Sequence, residues 1–159
     1  MPENSERIHA TQRVRITKTA RVPAQYAYRW LTDYRPEDSR FSRLRPRYRV
    51  IRVSKDRVVR IRTHREKTAA TQVAVDLVRF DPPHRWHVDQ IDEDDLNSAD
   101  FDVQPVGARK TRIRVAVLER WMTPQSPTLS ELRERLSDYW DRIVAGLEQD
   151  YRRGRPPTG

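Results

Sequence analysis

The sequence predicts an α+β fold in which a curved, seven-stranded antiparallel sheet wraps around a long C-terminal helix. Three observations indicate this class. A strand-like segment near the N-terminus is followed by two short helical segments, and six further segments then alternate apolar and polar residues between short turns. The last segment is long and repeats apolar residues at spacings of three and four. Strands joined by turns this short must be antiparallel, because a parallel crossover needs about a dozen residues or more.

The N-terminal elements are predicted from alternation and from proline. Residues 13–19 alternate, with Val14 and Ile16 on one side, which is typical of a half-buried strand. Pro23 suits the first turn of a helix, and the apolar residues that follow it at helical spacing predict a helix over 23–33. Pro36 interrupts this pattern, so we expect the first short helix to end there and a second one to follow over 37–41.

The rest of the chain divides into six strands and one helix. The predicted strands cover residues 48–53, 57–66, 71–80, 85–91, 96–103 and 111–120. Thr128 and Glu131 have the spacing of a capping box, and an apolar stripe runs from Leu129 to Leu147. Gly154 is expected to end this helix. We therefore predict a single domain over residues 10–153, with flexible tails at 1–9 and 154–159.

Composition excludes several classes of protein. The 159 residues include no Cys, which excludes disulfides, thiolate metal sites and cysteine nucleophiles. Four Gly residues are too few for a phosphate-binding loop, and the four His residues do not have metal-ligand spacing, so we expect no cofactor and no metal. No apolar run reaches the ~18 residues of a membrane span, and the N-terminus lacks a signal-peptide core. We expect a cytoplasmic protein.

The order of elements and one local segment resemble a known superfamily. Between Ile16 and Asp33, a first strand leads into a helix that begins with Pro23 and ends in Leu-Thr-Asp. In this segment and in element order, residues 10–153 resemble the START-like, Bet v 1-like (SRPBCC) superfamily, which includes polyketide cyclase/dehydrase and coenzyme Q-binding proteins. The resemblance implies a helix-grip fold with a cavity for a small hydrophobic ligand of the lipid, quinone or polyketide/aromatic type. It is compatible with a carrier or with a cyclase-like enzyme. The exposed edges of the predicted meander permit either a monomer or a homodimer.

Alternation along the strands selects residues to line that implied cavity. The candidates from the sheet are Tyr48, Val59, Ile61, Thr63, Val73, Val75, Leu77, Trp86, Val88, Val115 and Val117, and those from the long helix are Trp140, Ile143 and Leu147. The alternative interpretation is that these side chains simply form the core. Strand register decides between the two faces, because a shift of one residue moves a whole set to the other side.

Catalytic candidates are polar residues on otherwise apolar faces. They are Glu119, Asp76 and Tyr139. A carboxylate in an apolar cavity has a raised pKa and can serve as an acid or a base for cyclisation or dehydration. The structural alternatives are an ion pair of Glu119 with Arg112, Arg114 or Arg120, and a cross-strand pair of Asp76 with Arg60 or Arg62.

The basic residues suggest a second function. The formal net charge is +9, and most of the 32 basic residues are Arg. Arg43, Arg45, Arg47 and Arg49 share one parity, and Arg60 and Arg62 on the next strand are expected to join them. Such a face could bind a nucleic acid or the ribosome. The alternative is that the arginine bias reflects genome composition or an ion-paired surface.

Overall fold

The computed structural model describes residues 8–65 and 71–157. Its elements, in chain order, are β1 (Ala10–Ala20), α1 (Ala24–Leu31), a 3₁₀ helix (Pro36–Phe41), β2 (Arg47–Ser54), β3 (Arg57–Arg65), β4 (Thr71–Asp81), β5 (Arg85–Ile91), β6 (Asp95–Gly107), β7 (Lys110–Trp121) and α2 (Leu129–Arg152). The predicted α+β class is confirmed, and the second short helix is of the 3₁₀ type. Most of the predicted tails, residues 1–7 and 158–159, and the predicted strand residue Glu66 lie outside the described residues.

The seven strands form one antiparallel sheet with the order β1-β7-β6-β5-β4-β3-β2. Strands β2 to β7 form the predicted meander, and β1 pairs with β7 along its whole length. The connection through α1 and the 3₁₀ helix carries the chain from the β1 edge to the opposite edge. This connection lies where it can close one end of the space between the sheet and α2.

The concave face of the sheet carries three parallel rows of side chains, each running from strand to strand through paired positions. A polar row consists of Gln12, Glu119, Asn97, Gln90, Asp76 and Arg60. The neighbouring aliphatic row consists of Val14, Val117, Ala99, Val88, Val78 and Val58. The aromatic row beyond it consists of Ile16, Val115, Phe101, Trp86 and Phe80. The floor under α2 therefore changes from charged to aromatic within three rows.

Helix α2 has well-defined ends and is anchored to β1. The side chain of Thr128 accepts a hydrogen bond from the backbone N–H of Glu131, and the Glu131 carboxylate accepts one from the backbone of Thr128, which confirms the capping box. Gly154 follows the helix with a φ of 65°, the left-handed conformation that glycine adopts without strain. The Lys18 ammonium on β1 donates to Ser137 and to Asp141 of α2. No helix among the described residues is long and apolar enough to cross a membrane.

Candidate ligand-binding cavity

A cavity of about 530 Å³ lies between the concave face of the sheet and α2. The three rows of the sheet form its floor, α2 covers it, and α1 and the 3₁₀ helix close one end. Phe41, the last residue of the 3₁₀ helix, packs directly over Gly146 of α2. The guanidinium of Arg142 donates to the backbone carbonyl of Phe41, so α2 holds this end in place.

Aromatic side chains form the apolar part of the wall. The rings of Trp86 and Phe101 are stacked, with centroids 4.6 Å apart and planes 7° apart. Trp140 of α2 packs on Phe101 at 5.7 Å. Trp30 and Phe41 form a second pair at 5.5 Å. Flat rings on the floor, on the covering helix and at the closed end can accept a flat apolar ligand by stacking or edge contacts.

A buried ionic centre lies on the floor beside this aromatic wall. Arg60 Nε is 2.7 Å from Asp76 Oδ2, and Arg62 Nη2 is 3.3 Å from Asp76 Oδ1. The Arg60 guanidinium also lies over the rings of Tyr48 and Tyr34, at 4.5 and 5.1 Å from their centroids. Burial disfavours the charge on Arg60, but the Asp76 carboxylate outweighs this and raises its pKa. Two guanidinium groups share the single carboxylate of Asp76, and the Asp38 carboxyl group lines the same cavity near Arg60.

The three catalytic candidates all line the cavity, but they differ in their surroundings. Asp76 is 1% exposed and forms the cross-strand pair with Arg60 and Arg62 that its structural alternative proposed. Tyr139 lies on α2, and burial raises its pKa to about 12, which keeps the phenol protonated. Glu119 makes none of the ion pairs considered for it with Arg112, Arg114 or Arg120. A catalytic role for any of the three stays a prediction.

Glu119 is the most unusual of these groups. Burial raises its pKa to about 7, the carboxylate of Asp95 adds to the effect, and Trp121 and Arg135 partly offset it. Its Oε2 atom is buried and has no hydrogen-bond partner among the described residues. A carboxyl group that titrates near neutral pH inside a cavity can exchange a proton with a bound molecule.

Half of the predicted ligand-binding residues line the cavity. They are Tyr48, Trp86, Val88, Val115, Val117, Trp140 and Ile143. Leu147, expected above the cavity, is fully buried in the core and is not part of the wall. Whether the lining residues contact a ligand stays a prediction.

The predicted orientation of β3 and β4 was wrong. Val59, Ile61, Thr63, Val73, Val75 and Leu77 lie on the outer face of the sheet. Val73 and Leu77 are 44% and 43% exposed, whereas Val58 and Val78 of the opposite parity are buried. Alternation selected the more apolar parity of each strand, but the inward parity contains the charged residues Arg60, Arg62 and Asp76. Because the Asp76 carboxylate pairs with both guanidinium groups, the structure can bury all three side chains in the cavity.

The same reversal divides the six arginines proposed to bind a polyanion. Arg60 and Arg62 face the cavity, while Arg47 and Arg49 lie on the outer face of β2. Arg43 and Arg45 precede the strand, and Arg43 pairs with Asp138 at 3.0 Å. The single basic face that this prediction required is not formed, and binding of a nucleic acid or the ribosome stays a prediction.

The sequence pattern missed part of the wall. The missed residues on the sheet are Arg60, Arg62, Gln90, Asn97, Ala99 and Phe101, those before it are Trp30, Leu31, Tyr34, Asp38, Phe41 and Ser42, and those on α2 are Arg135 and Leu136. Phe101 could have been predicted, because Ala99, Phe101 and Val103 occupy every second position of β6 and form an apolar face. The residues of α1 and the 3₁₀ helix had none, because their position over the end of the cavity depends on tertiary packing.

Comparisons with known proteins identify the fold. No protein-family model and no curated protein sequence matches the chain. Among solved structures, the ZhuI aromatase/cyclase from Streptomyces sp. R1128 is similar, with a TM-score of 0.68 and 12% identity over 89% of this chain and 96% of that one. Ara h 8.0201 gives a TM-score of 0.65 and 12% identity over 88% and 97% of the two chains.

A third structure agrees with these two. A START superfamily protein from Mycobacterium smegmatis gives a TM-score of 0.62 and 10% identity, covering 86% of this chain and 94% of that one. At sequence identities of 10–12%, these similarities show a shared fold. The chain therefore has the START-like, Bet v 1-like (SRPBCC) helix-grip fold.

Proposed function

We propose that this protein binds a small, largely flat hydrophobic molecule that carries an oxygen substituent, in the cavity between the sheet and α2. The observation that carries the proposal is that an aromatic wall and a buried pair of guanidinium groups line the same cavity. At about 530 Å³, the cavity falls within the range of pockets that hold small ligands. Solved proteins with the same fold include an aromatase/cyclase, which agrees with this ligand class.

The polar centre has free capacity for an oxygen atom. Arg60 and Arg62 together carry one more charge than Asp76 neutralises. The Nε atom of Arg62 is buried and has no partner among the described residues, so one N–H group remains available. The hydroxyl groups of Tyr48 and Tyr139 lie in the same wall. A carbonyl, phenolate or carboxylate oxygen would satisfy these donors, while the rings of the ligand pack against Trp86, Phe101 and Trp140.

Binding comes first in this proposal, and catalysis depends on it. A cyclase-like reaction would need a group that takes and returns a proton, and Glu119 suits this task because its pKa is about 7. In a carrier, the same carboxyl group would only contribute to binding. Turnover that is lost in Glu119→Gln, with ligand uptake retained, would favour the enzyme.

A pair of matched substitutions tests the location of the ligand. Val117→Trp adds a large side chain to the cavity floor, whereas Val75→Trp adds the same side chain on the outer face of the sheet. The probe is 1-anilinonaphthalene-8-sulfonate, an aromatic anion whose fluorescence increases in apolar surroundings. We expect the wild type and Val75→Trp to bind it equally and Val117→Trp to lose most binding. Native mass spectrometry of freshly purified protein would show any ligand already bound.

The proposal fails if both variants bind the dye as the wild type does, because the dye would then lie outside the cavity. It also fails if the wild type neither binds the dye nor carries a ligand after purification. Circular dichroism and thermal unfolding of both variants check that loss of binding does not result from loss of the fold.

A further inference from the structure

Unsatisfied polar atoms are concentrated at the β6–β7 end of the cavity. Among the described residues, seven buried side-chain atoms have no hydrogen-bond partner. Five of them belong to adjacent residues of β1, β6 and β7: Gln12 Oε1, Asp95 Oδ1, Asn97 Oδ1, Glu119 Oε2 and Trp121 Nε1. Leaving a buried polar group without a partner destabilises the folded state, so a local concentration of such groups requires a physical explanation.

Strand register makes these residues one patch on the concave face. Asn97 pairs with Glu119, and Asp95 pairs with Trp121, on the neighbouring strands β6 and β7. Gln12 pairs with Glu119 from the other side, on β1. Asn97 and Glu119 line the cavity, so a molecule inside it can reach the patch, which we call the acceptor patch.

The chemistry of the acceptor patch is one-sided. Four of its five free atoms are oxygens that accept hydrogen bonds, and two of these belong to carboxylates. Asp95 is only 8% exposed, its Oδ1 atom has no hydrogen-bond partner among the described residues, and the Asn97 amide partly offsets the rise that burial causes in the pKa of its carboxyl group. Arg135 of α2 is near enough to lower the pKa of Glu119, but it forms no ion pair with either carboxylate among the described residues. Arg62 partly lowers the raised pKa of Asp95 in the same way. Free acceptors therefore outnumber free donors in the patch, and no cation pairs with its carboxylates among the described residues.

We propose that the acceptor patch is a subsite for a protonated amino group on the bound ligand. An ammonium group has three N–H donors and a positive charge, which suit the free oxygens of Asn97 and Glu119 in the cavity wall and the Asp95 carboxylate beside them. A metal ion such as Ca²⁺ or Mg²⁺ fits less well, because it takes six or more oxygen ligands and the patch offers four free oxygens. The inference rests on the proposed function and adds an amine to the ligand, at the opposite end of the polar row from Arg60.

The experiment compares two probes of equal length, octylamine and octanol, by isothermal titration calorimetry at pH 7.5. The proteins are the wild type, Glu119→Gln, Asp95→Asn and the control Glu134→Gln, which changes an exposed carboxylate of α2. We expect the wild type and the control to bind octylamine about tenfold more tightly than octanol. In Glu119→Gln and Asp95→Asn this preference should fall to about twofold or less. The net charge of +9 disfavours non-specific uptake of the amine, so a preference for it must be local.

Each other outcome has a defined meaning. If octanol binds and octylamine is not preferred, the amine subsite is wrong and the hydrophobic cavity stands. If the preference is present but survives both patch substitutions, the subsite is also wrong. If neither probe binds, the proposed function fails together with the subsite. If CaCl₂ or MgCl₂ raises the melting temperature of the wild type but not of Glu119→Gln, the patch is a metal site and the proposal is overturned.

Discussion

Arg60 and Asp76 are paired residues on β3 and β4, and their side chains form an ion pair inside the cavity, with Arg60 Nε 2.7 Å from Asp76 Oδ2. Their side chains are 15% and 1% exposed. Arg62 joins the same carboxylate from two residues along β3. Burial removes the hydration of these charged side chains, and the ion pairs with Asp76 have to compensate for this loss.

Asp76→Asn should destabilise the protein by about 3 kcal/mol, because it leaves two guanidinium groups beside a neutral side chain. Urea unfolding at pH 7 measures the change. The matched control is Asp102→Asn, which removes the partner of a largely exposed arginine, Arg85, at 3.7 Å. This exposed pair should contribute less than about 1 kcal/mol. Equal effects of the two substitutions would contradict the assignment of Arg60 and Asp76 as a buried centre.

The two carboxyl groups of the acceptor patch predict a stability that decreases as the pH rises. Burial raises the pKa of Glu119 to about 7 and that of Asp95 to about 6, above their values in the unfolded chain. The folded protein therefore holds more protons between pH 5 and pH 7, and the free energy of unfolding falls through this range. The contribution is present below the unfolded pKa values and is lost through the folded ones.

Urea unfolding at pH 5 and pH 8 checks this. Glu119→Gln should be more stable than the wild type at pH 8 by on the order of 1 kcal/mol, allowing for screening by solvent, and similar to it at pH 5. The pKa of His87 is also raised, because Asp89 and Asp100 outweigh the effect of burial. His87 therefore adds a further decrease in the free energy of unfolding as the pH rises. The difference between variant and wild type is therefore the quantity to measure. The control Glu134→Gln should show no pH-dependent difference.

The fold could be predicted from the sequence because each element has a local signal. The capping box at Thr128, the alternation of the strands and the short turns are all independent of tertiary contacts. The inward face of β3 and β4 could not be predicted in this way, because both alternating sets of residues on each strand include apolar side chains. Val59 and Ile61 are β-branched residues that suit any strand, so their apolar character does not show which face is buried. The orientation depends on Asp76 meeting Arg60 and Arg62, which only the strand pairing brings together.

Trp30 and Asp150 give a prediction about the closed end of the cavity. The Trp30 indole Nε1 donates to Asp150 Oδ2 at 2.9 Å, and Asp150 is 2% exposed. Burial opposes the charge of Asp150, but Trp30, Arg40 and Arg155 outweigh it and lower its pKa. Asp150→Asn should therefore destabilise the protein by about 2 kcal/mol at pH 7.

Because the pKa of Asp150 is lowered, its contribution is present above the unfolded pKa and is lost as the pH falls through the folded one. The difference between wild type and Asp150→Asn should accordingly shrink at pH 3. Asp141→Asn, which changes an exposed carboxylate bonded to Lys18, serves as the control. A difference that stays constant with pH would show that packing, rather than charge, explains the effect.

The contact between Gly146 and Phe41 predicts that Gly146→Ala changes stability in opposite directions, depending on the residue at position 41. A Cβ atom at Gly146 would overlap the Phe41 ring. In the wild type, Gly146→Ala should destabilise the protein by about 1–2 kcal/mol, because the cost of displacing the ring exceeds the ~1 kcal/mol that Ala gains over Gly in a helix. It should also weaken dye binding, because Phe41 lines the cavity.

In a Phe41→Ala background the overlap is absent, so Gly146→Ala should become stabilising by up to ~1 kcal/mol through helix propensity alone. The double-mutant cycle, measured by urea unfolding, isolates the coupling between the two positions. Gly107→Ala is the control, because its Cβ would meet its nearest neighbour at an ordinary 3.7 Å. Destabilisation by Gly146→Ala of the same size in both backgrounds would mean that the ring of Phe41 does not rest on α2. The 3₁₀ helix would then close the cavity in some other way.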